Sequence, residues 1–233
     1  MIVLGFDTAT PATAVALLDA AHPDAGVERR HEPAPGERPG HAAQLLALAA
    51  QLLDEAGLGF ADVDRIAVGT GPGTFTGLRI GVATARALAQ STGAELVGVS
   101  TLRALAAAAE PAAPAGSGVL AVVDARRGEL FAAGWRAGER VIGEAALAPE
   151  RLARAVAEEG GGWLAVGDGA LRFREDLERA GCRVPRDESE QHGVSALAVC
   201  RLALEASEGT VRDLVVPDYL RPPDAVLARK NIA

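Results

Sequence analysis

Residues 66–93 read IAVGTGPGTFTGLRIGVATARALAQSTG, an apolar run, a glycine-rich turn and a helical pattern in succession. Ile66-Ala67-Val68 is a short apolar β-type run and Gly69 to Gly73 a glycine-proline turn. Thr74 or Thr76 can cap a helix that runs to about Gln90 and stops at Gly93. In such a strand–loop–helix unit, backbone N–H groups converge on the helix N-terminus, where the macrodipole favours an anion. The loop lacks the Gly-Lys-Ser/Thr of a P-loop and the third glycine of a dinucleotide fingerprint, and Pro72 offers no donor. A tight strand-to-helix turn therefore stands beside the phosphate reading.

Two stripes run along the helix. Leu78, Val82, Ala85 and Ala89 form one, and Gly77, Gly81, Thr84 and Leu88 the other, at the same spacing. Glycine inside a helix costs about 1 kcal/mol relative to alanine, so Gly81 marks a close approach to that backbone. The approaching group is either the chain's own sheet or a helix of a second chain. Arg79, Ala83, Arg86 and Gln90 follow a third line, a solvated or interface-rim face.

A chain of 233 residues with 49% hydrophobic content can bury a core, and with only 3% aromatics that core is built from Leu, Val and Ala. A net charge of −8 argues against an extended nucleic-acid surface, which needs clustered Lys and Arg. Cys182 and Cys200 have neither metal-ligand spacing nor a disulfide framework, and the N-terminus carries no targeting pattern, so a cytoplasmic location is expected.

Taken in order, Ile2–Phe6 is an apolar strand ending in Asp7, and a Thr8-Ala9-Thr10-Pro11 turn leads to a second strand over 13–18. A third strand at 27–31, a helix over 41–56, the organising stretch, a strand at 95–99 and a helix over 101–109 follow. Pro111 to Gly118 is a boundary. The pattern then restarts: Val119–Val123 ends in Asp124, an Ala125-Arg126-Arg127-Gly128 turn follows, and a strand returns over 129–135. A strand near Val141-Ile142, a helix over 149–159, a strand at 163–166 and helices over 170–180 and 194–208 complete it. The recurrence predicts two related β-β-β-α-β-α halves, each resembling RNase H, the plan of the actin/hexokinase/Hsp70 superfamily. The expected units are a domain over 1–110 carrying the interface helices, a smaller degenerate domain over 111–210, and a segment over 211–233 returning to the first.

Asp7, Thr8 and Thr10, with Gly71, Gly73 and Thr74, form the candidate phosphate loop, read as vestigial because the turn lacks the glycine that admits phosphate. Asp124 opens a turn with Arg126 and Arg127, without the hydroxyls of a phosphate loop. None of His22, His31, His41 and His192 stands in His-x-x-x-His or His-Glu-x-x-His spacing, so no metal is expected on this chain. The helix HAAQLLALAAQLL from His41 carries one stripe at Leu45, Leu48, Leu52 and Ala56, and another at Leu46, Ala50 and Leu53. That arc is wider than a one-sided surface helix needs.

The segment GTGPGTFTGLRIGVATARALA over 69–89 resembles the signature of the TsaB (YeaZ) family. The helix at His41, the Asp124–Glu129 turn and Tyr219-Leu220-Arg221 extend the resemblance over nearly the whole chain. It implies a non-catalytic scaffold and activator with no cofactor of its own. Its complex transfers a threonylcarbamoyl group to N6 of the adenosine beside the tRNA anticodon. The implied partners are a TsaD-type catalytic subunit and a TsaE-type ATPase, which carry the ATP and the metal ion. A homodimer is expected when the partner is absent, tRNA is contacted indirectly, and no membrane is involved. The expected interface is Leu45, Leu46, Leu52, Leu53, Leu78, Gly81, Val82 and Ala85, with Arg79 and Arg86 at the rim, and Gly81→Arg is expected to abolish the heterodimer while leaving the monomer folded. The alternative is a small ATPase or phosphotransferase using Asp7, Thr8, Thr10 and the Gly71–Thr74 loop.

Overall fold

The computed structural model of the protein describes residues 1–34, 36–206, 209 and 212–221. Strands β1 (Ile2–Asp7), β2 (Thr13–Asp19) and β3 (Val27–His31) form an antiparallel meander. Helix α1 (His41–Glu55) leads to β4 (Arg65–Gly71), parallel to β1, and α2 (Phe75–Thr92) leads to β5 (Glu95–Ser100), parallel to β4. The sheet order is β3-β2-β1-β4-β5. β1 and β4 are apolar almost throughout because both of their faces are covered. β3, with sequence VERRH, is the charged edge that blunts further pairing.

Helix α3 (Thr101–Ala109), capped by the Ser100 hydroxyl accepting from the Arg103 N–H, leaves the first sheet. The second half follows with β6 (Gly118–Arg126), β7 (Glu129–Arg136), β8 (Glu139–Leu147), α4 (Pro149–Glu159), β9 (Trp163–Val166), α5 (Asp168–Arg172), α6 (Arg174–Arg179), β10 (Cys182–Arg183) and α7 (Ala196–Glu205). Its order, β10-β9-β6-β7-β8, is the first sheet's order read from the other edge. Two mixed sheets of one plan are present, as the recurrence of strand, aspartate and turn predicts.

Layering explains the composition. α1 and α2 cover one face of the first sheet through Leu45, Leu52, Leu53, Val82, Ala85 and Ala89. α7 covers the opposite face with small residues, among them Ala196, Val199 and Ala203. α3 packs on the second sheet and touches α7, and α4 to α6 close the far side. Alanine and glycine dominate because two helices are pressed between two sheets.

The helices at the domain boundary differ from the expectation. α7, placed by sequence in the 111–210 unit, packs on β1 and β2, while α3, placed in 1–110, packs on β6 and β7. α7 therefore belongs to the first sheet, and α3 lies between the two, touching β4 and β5 as well. The helix expected over 170–180 is broken at Phe173 into α5 and α6, and the short run near Val141 is part of the longer edge strand β8. Charged residues on the exposed side of β8 hide its length from a hydrophobicity reading.

Residues 212–221 run back over the first half. Val215 joins the cluster beneath α2, the Asp218 N–H donates to the Thr70 carbonyl at 2.7 Å, and Arg221 pairs with Glu129 at 2.8 Å. The remainder of the expected C-terminal segment, 222–233, lies outside the described residues. No helix among the described residues is long and apolar enough to cross a membrane.

Candidate functional site

The β1–β2 turn carries the residues that a phosphate would meet, and every one of their reactive atoms has an internal partner except at Thr10. Asp7 is 1% exposed. One carboxylate oxygen accepts from the Ala9 N–H at 2.8 Å and the other from the Thr101 hydroxyl at 2.8 Å. The carboxylate lies flat on β4, so that a methyl group at Gly69 would overlap it. Burial pushes the Asp7 carboxyl up from its ordinary value, against the opposing pull of those hydrogen bonds and of Arg30.

Thr8 is fully buried and donates its hydroxyl to the Gly77 carbonyl at 2.8 Å. The Thr74 N–H donates to the Ala9 carbonyl at 2.7 Å, and side chains at Gly73 and Gly77 would overlap the Thr8–Ala9 backbone. Gly71, at φ +121°, is covered by the Asp218 carbonyl. Thr10 lines the large cleft between the halves. The turn is thus plugged by α2, and Asp7 offers neither a free oxygen nor an open approach to a magnesium-bound phosphate. A nucleotide of the kind that the superfamily holds does not fit these residues.

The second hairpin agrees. Asp124 is paired with Arg172 at 2.8 Å and Arg126 at 3.1 Å, and the Asp124 N–H donates to the Asp168 carboxylate at 3.0 Å. Burial raises the pKa of Asp168, with the charge of Asp124 adding to the shift. The cleft between the halves, about 1150 Å³, is lined by eight carboxylate side chains against three arginines, Arg30, Arg103 and Arg201. That balance repels a polyphosphate. Among the described residues no group of three or more His, Cys, Asp or Glu is placed to hold a metal ion.

The interface residues expected from sequence separate into two groups. Leu45, Leu52, Leu53, Leu78, Val82 and Ala85 are at most 3% exposed and belong to the chain's own core, and Gly81 is buried beneath Thr8. They cannot line a docking surface, because the sheet already occupies that side of both helices. Leu46 is the exception, at 46% exposure. The Arg79 Nε–H donates to the Tyr219 hydroxyl at 3.1 Å and its guanidinium lies 3.8 Å over the Phe75 ring. Arg86 pairs with Asp213 at 2.6 Å. The two arginines bind the returning segment at the edge of α2.

The outward faces hold, beside Leu46, residues that sequence reading left out of the interface. α1 exposes Ala43, Leu46, Ala47 and Ala50, and α2 exposes Ala83 and Ala87 beside half-buried Ile80. The two helices are neighbours on one side of the sheet. The signal was present as small residues at positions where a solvated helix carries charge, and Ala83 already sat on the line assigned to the rim.

A profile described as "TsaD: tRNA N6-adenosine threonylcarbamoyltransferase" matches residues 37–167. The chain is 36% identical over 174 residues to the tRNA threonylcarbamoyladenosine biosynthesis protein TsaB of Escherichia coli K12, covering 72% of each chain. The solved structure of YeaZ from Pseudomonas aeruginosa is similar with a TM-score of 0.77 at 30% identity, covering 94% of this chain and 99% of that one. The ROK hexokinase of Thermus thermophilus shares the fold alone, with a TM-score of 0.51 at 16% identity over 88% of this chain and 99% of its own. With the doubled sheet plan and the signature helix α2 already established, these similarities show that the chain belongs to the TsaB (YeaZ) family.

Proposed function

We propose that this chain works in tRNA threonylcarbamoyladenosine biosynthesis as a scaffold and activator that docks on a TsaD-type catalytic subunit and contributes no bond-making residue. The observation that carries the reading is the outward face formed by Ala43, Leu46, Ala47 and Ala50 of α1 beside Ala83 and Ala87 of α2. Small and apolar residues on two adjacent helices let a second helix pair approach closely and bury apolar area at about 25 cal/mol per Å². The same face serves a homodimer when the catalytic subunit is absent. A TsaE-type ATPase joins the assembly through the heterodimer, and the ATP and the metal ion sit on those partner subunits.

The phosphotransferase alternative is disfavoured by the closure of Asp7 between Ala9, Thr101 and Gly69 and by the acidic lining of the cleft. The test mixes the purified chain with the TsaD-type protein of the same cell and measures the mass of the complex by light scattering. A heterodimer is expected, weakened by a charge at Leu46 or Ala83. Absence of a complex under every nucleotide condition, together with Mg-ATP binding by the isolated chain, overturns the reading.

A further inference from the structure

Residues 212–221 cross from the first sheet to the β6–β7 hairpin, and where they pass the start of α2 they enclose a second, smaller pocket of about 250 Å³. Phe75 opens α2 and Tyr219 sits on the returning segment, with their ring centroids 5.2 Å apart. Both rings are more than one-third exposed in a chain where aromatics are only 3% of residues. Tyr219 is held in place through its hydroxyl by Arg79, so the aromatic platform is ordered before any ligand arrives.

The opposite wall is basic. Arg126, Arg127 and Arg221 line the pocket with two carboxylates, Asp124 and Asp218, and Arg221 is held by Glu129 at 2.8 Å. Asp124 has two arginine partners, so an anion can draw Arg126 away while Arg172 keeps Asp124 paired. The Arg126 side chain is 59% exposed and can reach it. Arg126 and Arg127 stand at φ 64° and 55°, in the left-handed region that non-glycine residues rarely occupy.

Exposed aromatic rings facing arginines are the chemistry that recognises a nucleotide, by stacking on the base and charge-assisted hydrogen bonds to the phosphate. We propose that this pocket binds a nucleotide unit, the base against Tyr219 and Phe75 and the phosphate against Arg126 and Arg127. The volume is below the roughly 300–1,000 Å³ of pockets that enclose a whole drug-sized ligand, so the unit is held as part of an RNA strand that continues outside. The pocket shares no lining residue with the acidic cleft and meets the plugged turn only at Gly73 and Thr74. The inference deepens the proposed function, since it gives this chain a direct contact with the RNA that the complex modifies, and it rests on that reading for the RNA's identity.

The test titrates the full chain, alone and with its TsaD-type partner, into a labelled single-stranded oligoribonucleotide of about ten nucleotides and reads anisotropy. Tyr219→Ala removes the platform. Arg126→Gly and Arg127→Gly remove the cations while relaxing the left-handed backbone, which keeps the fold, as a thermal melt will show. Saturable binding that falls with added salt is expected, weakened about tenfold or more by each variant. Displacement by AMP identifies the single nucleotide as sufficient, and failure of AMP to compete identifies the strand as the ligand; both support the site. No RNA or AMP binding, or binding equal in wild type and variants, overturns it. Heterodimer mass on the same samples keeps the two readings apart, because loss of RNA binding with an intact heterodimer removes only this inference.

Discussion

Thr8 and Gly81 are locked together: the Thr8 side chain, fully buried and bonded to the Gly77 carbonyl, fills the space that a side chain at Gly81 would need. The close approach signalled by a glycine in mid-helix is therefore made by the chain's own phosphate-loop remnant. Gly81→Ala is expected to destabilise the monomer by roughly 1–3 kcal/mol through overpacking, and Gly81→Arg by more. Urea unfolding of the isolated chain checks it. A Gly81→Arg protein that unfolds at the wild-type midpoint would overturn the account and restore the residue to an interface role.

Docking and folding are instead separated by residues on the outer faces. Leu46→Glu and Ala83→Arg alter positions that touch water, so unfolding free energy is expected to move by no more than about 0.5 kcal/mol. A charge buried in a helix–helix contact without a partner is costly, and heterodimer affinity is expected to fall by about 100-fold or more. Light scattering and calorimetry with the TsaD-type partner measure both quantities. Unchanged affinity in both variants removes this face from the interface.

Much of the fold was legible because its signals are local. The β1 and β6 runs each end in an aspartate and a turn, and that recurrence alone gives two sheets of one plan. What stayed hidden depends on contacts between distant residues. Nothing in HAAQLLALAAQLL says which apolar stripe the sheet covers, since Val15 and Leu17, which share a core cluster with Leu45, come from another element. Likewise the fate of Asp7 is set by Thr101 and Gly69, far along the chain. The placement of α7 on the first sheet was invisible because alanine-rich helices look alike whichever sheet they cover.

Asp7 supplies a pH-dependent test of the plugged turn. Its carboxyl is raised above 3.8 chiefly by burial, so folding takes up a proton in that range. Its contribution to stability is complete below the unfolded value and is lost as pH rises through the folded one. Asp7→Asn, which cannot ionise, is expected to gain melting temperature relative to wild type between about pH 4 and pH 7. A difference constant across that range would show that the carboxyl is not perturbed by its enclosure.

His41 acts in the opposite sense. It opens α1, is 3% exposed, and shares a hydrogen bond of 2.8 Å between its Nδ1 and the Thr13 hydroxyl, while its Nε2 has no partner among the described residues. Burial is the larger cause that lowers its pKa below 6.5, and neighbouring His31 adds to it. The unfolded chain therefore binds the proton more readily than the folded one. The stability contributed by neutral His41 is fully present above about pH 6.5 and is lost as pH falls through the folded value. The imidazolium carries hydrogens on both ring nitrogens, and the one on Nε2 is buried without an acceptor among the described residues. Between about pH 8 and pH 5 the wild-type urea midpoint is expected to fall faster than that of His41→Asn, and parallel curves would show that the imidazole escapes to solvent when charged.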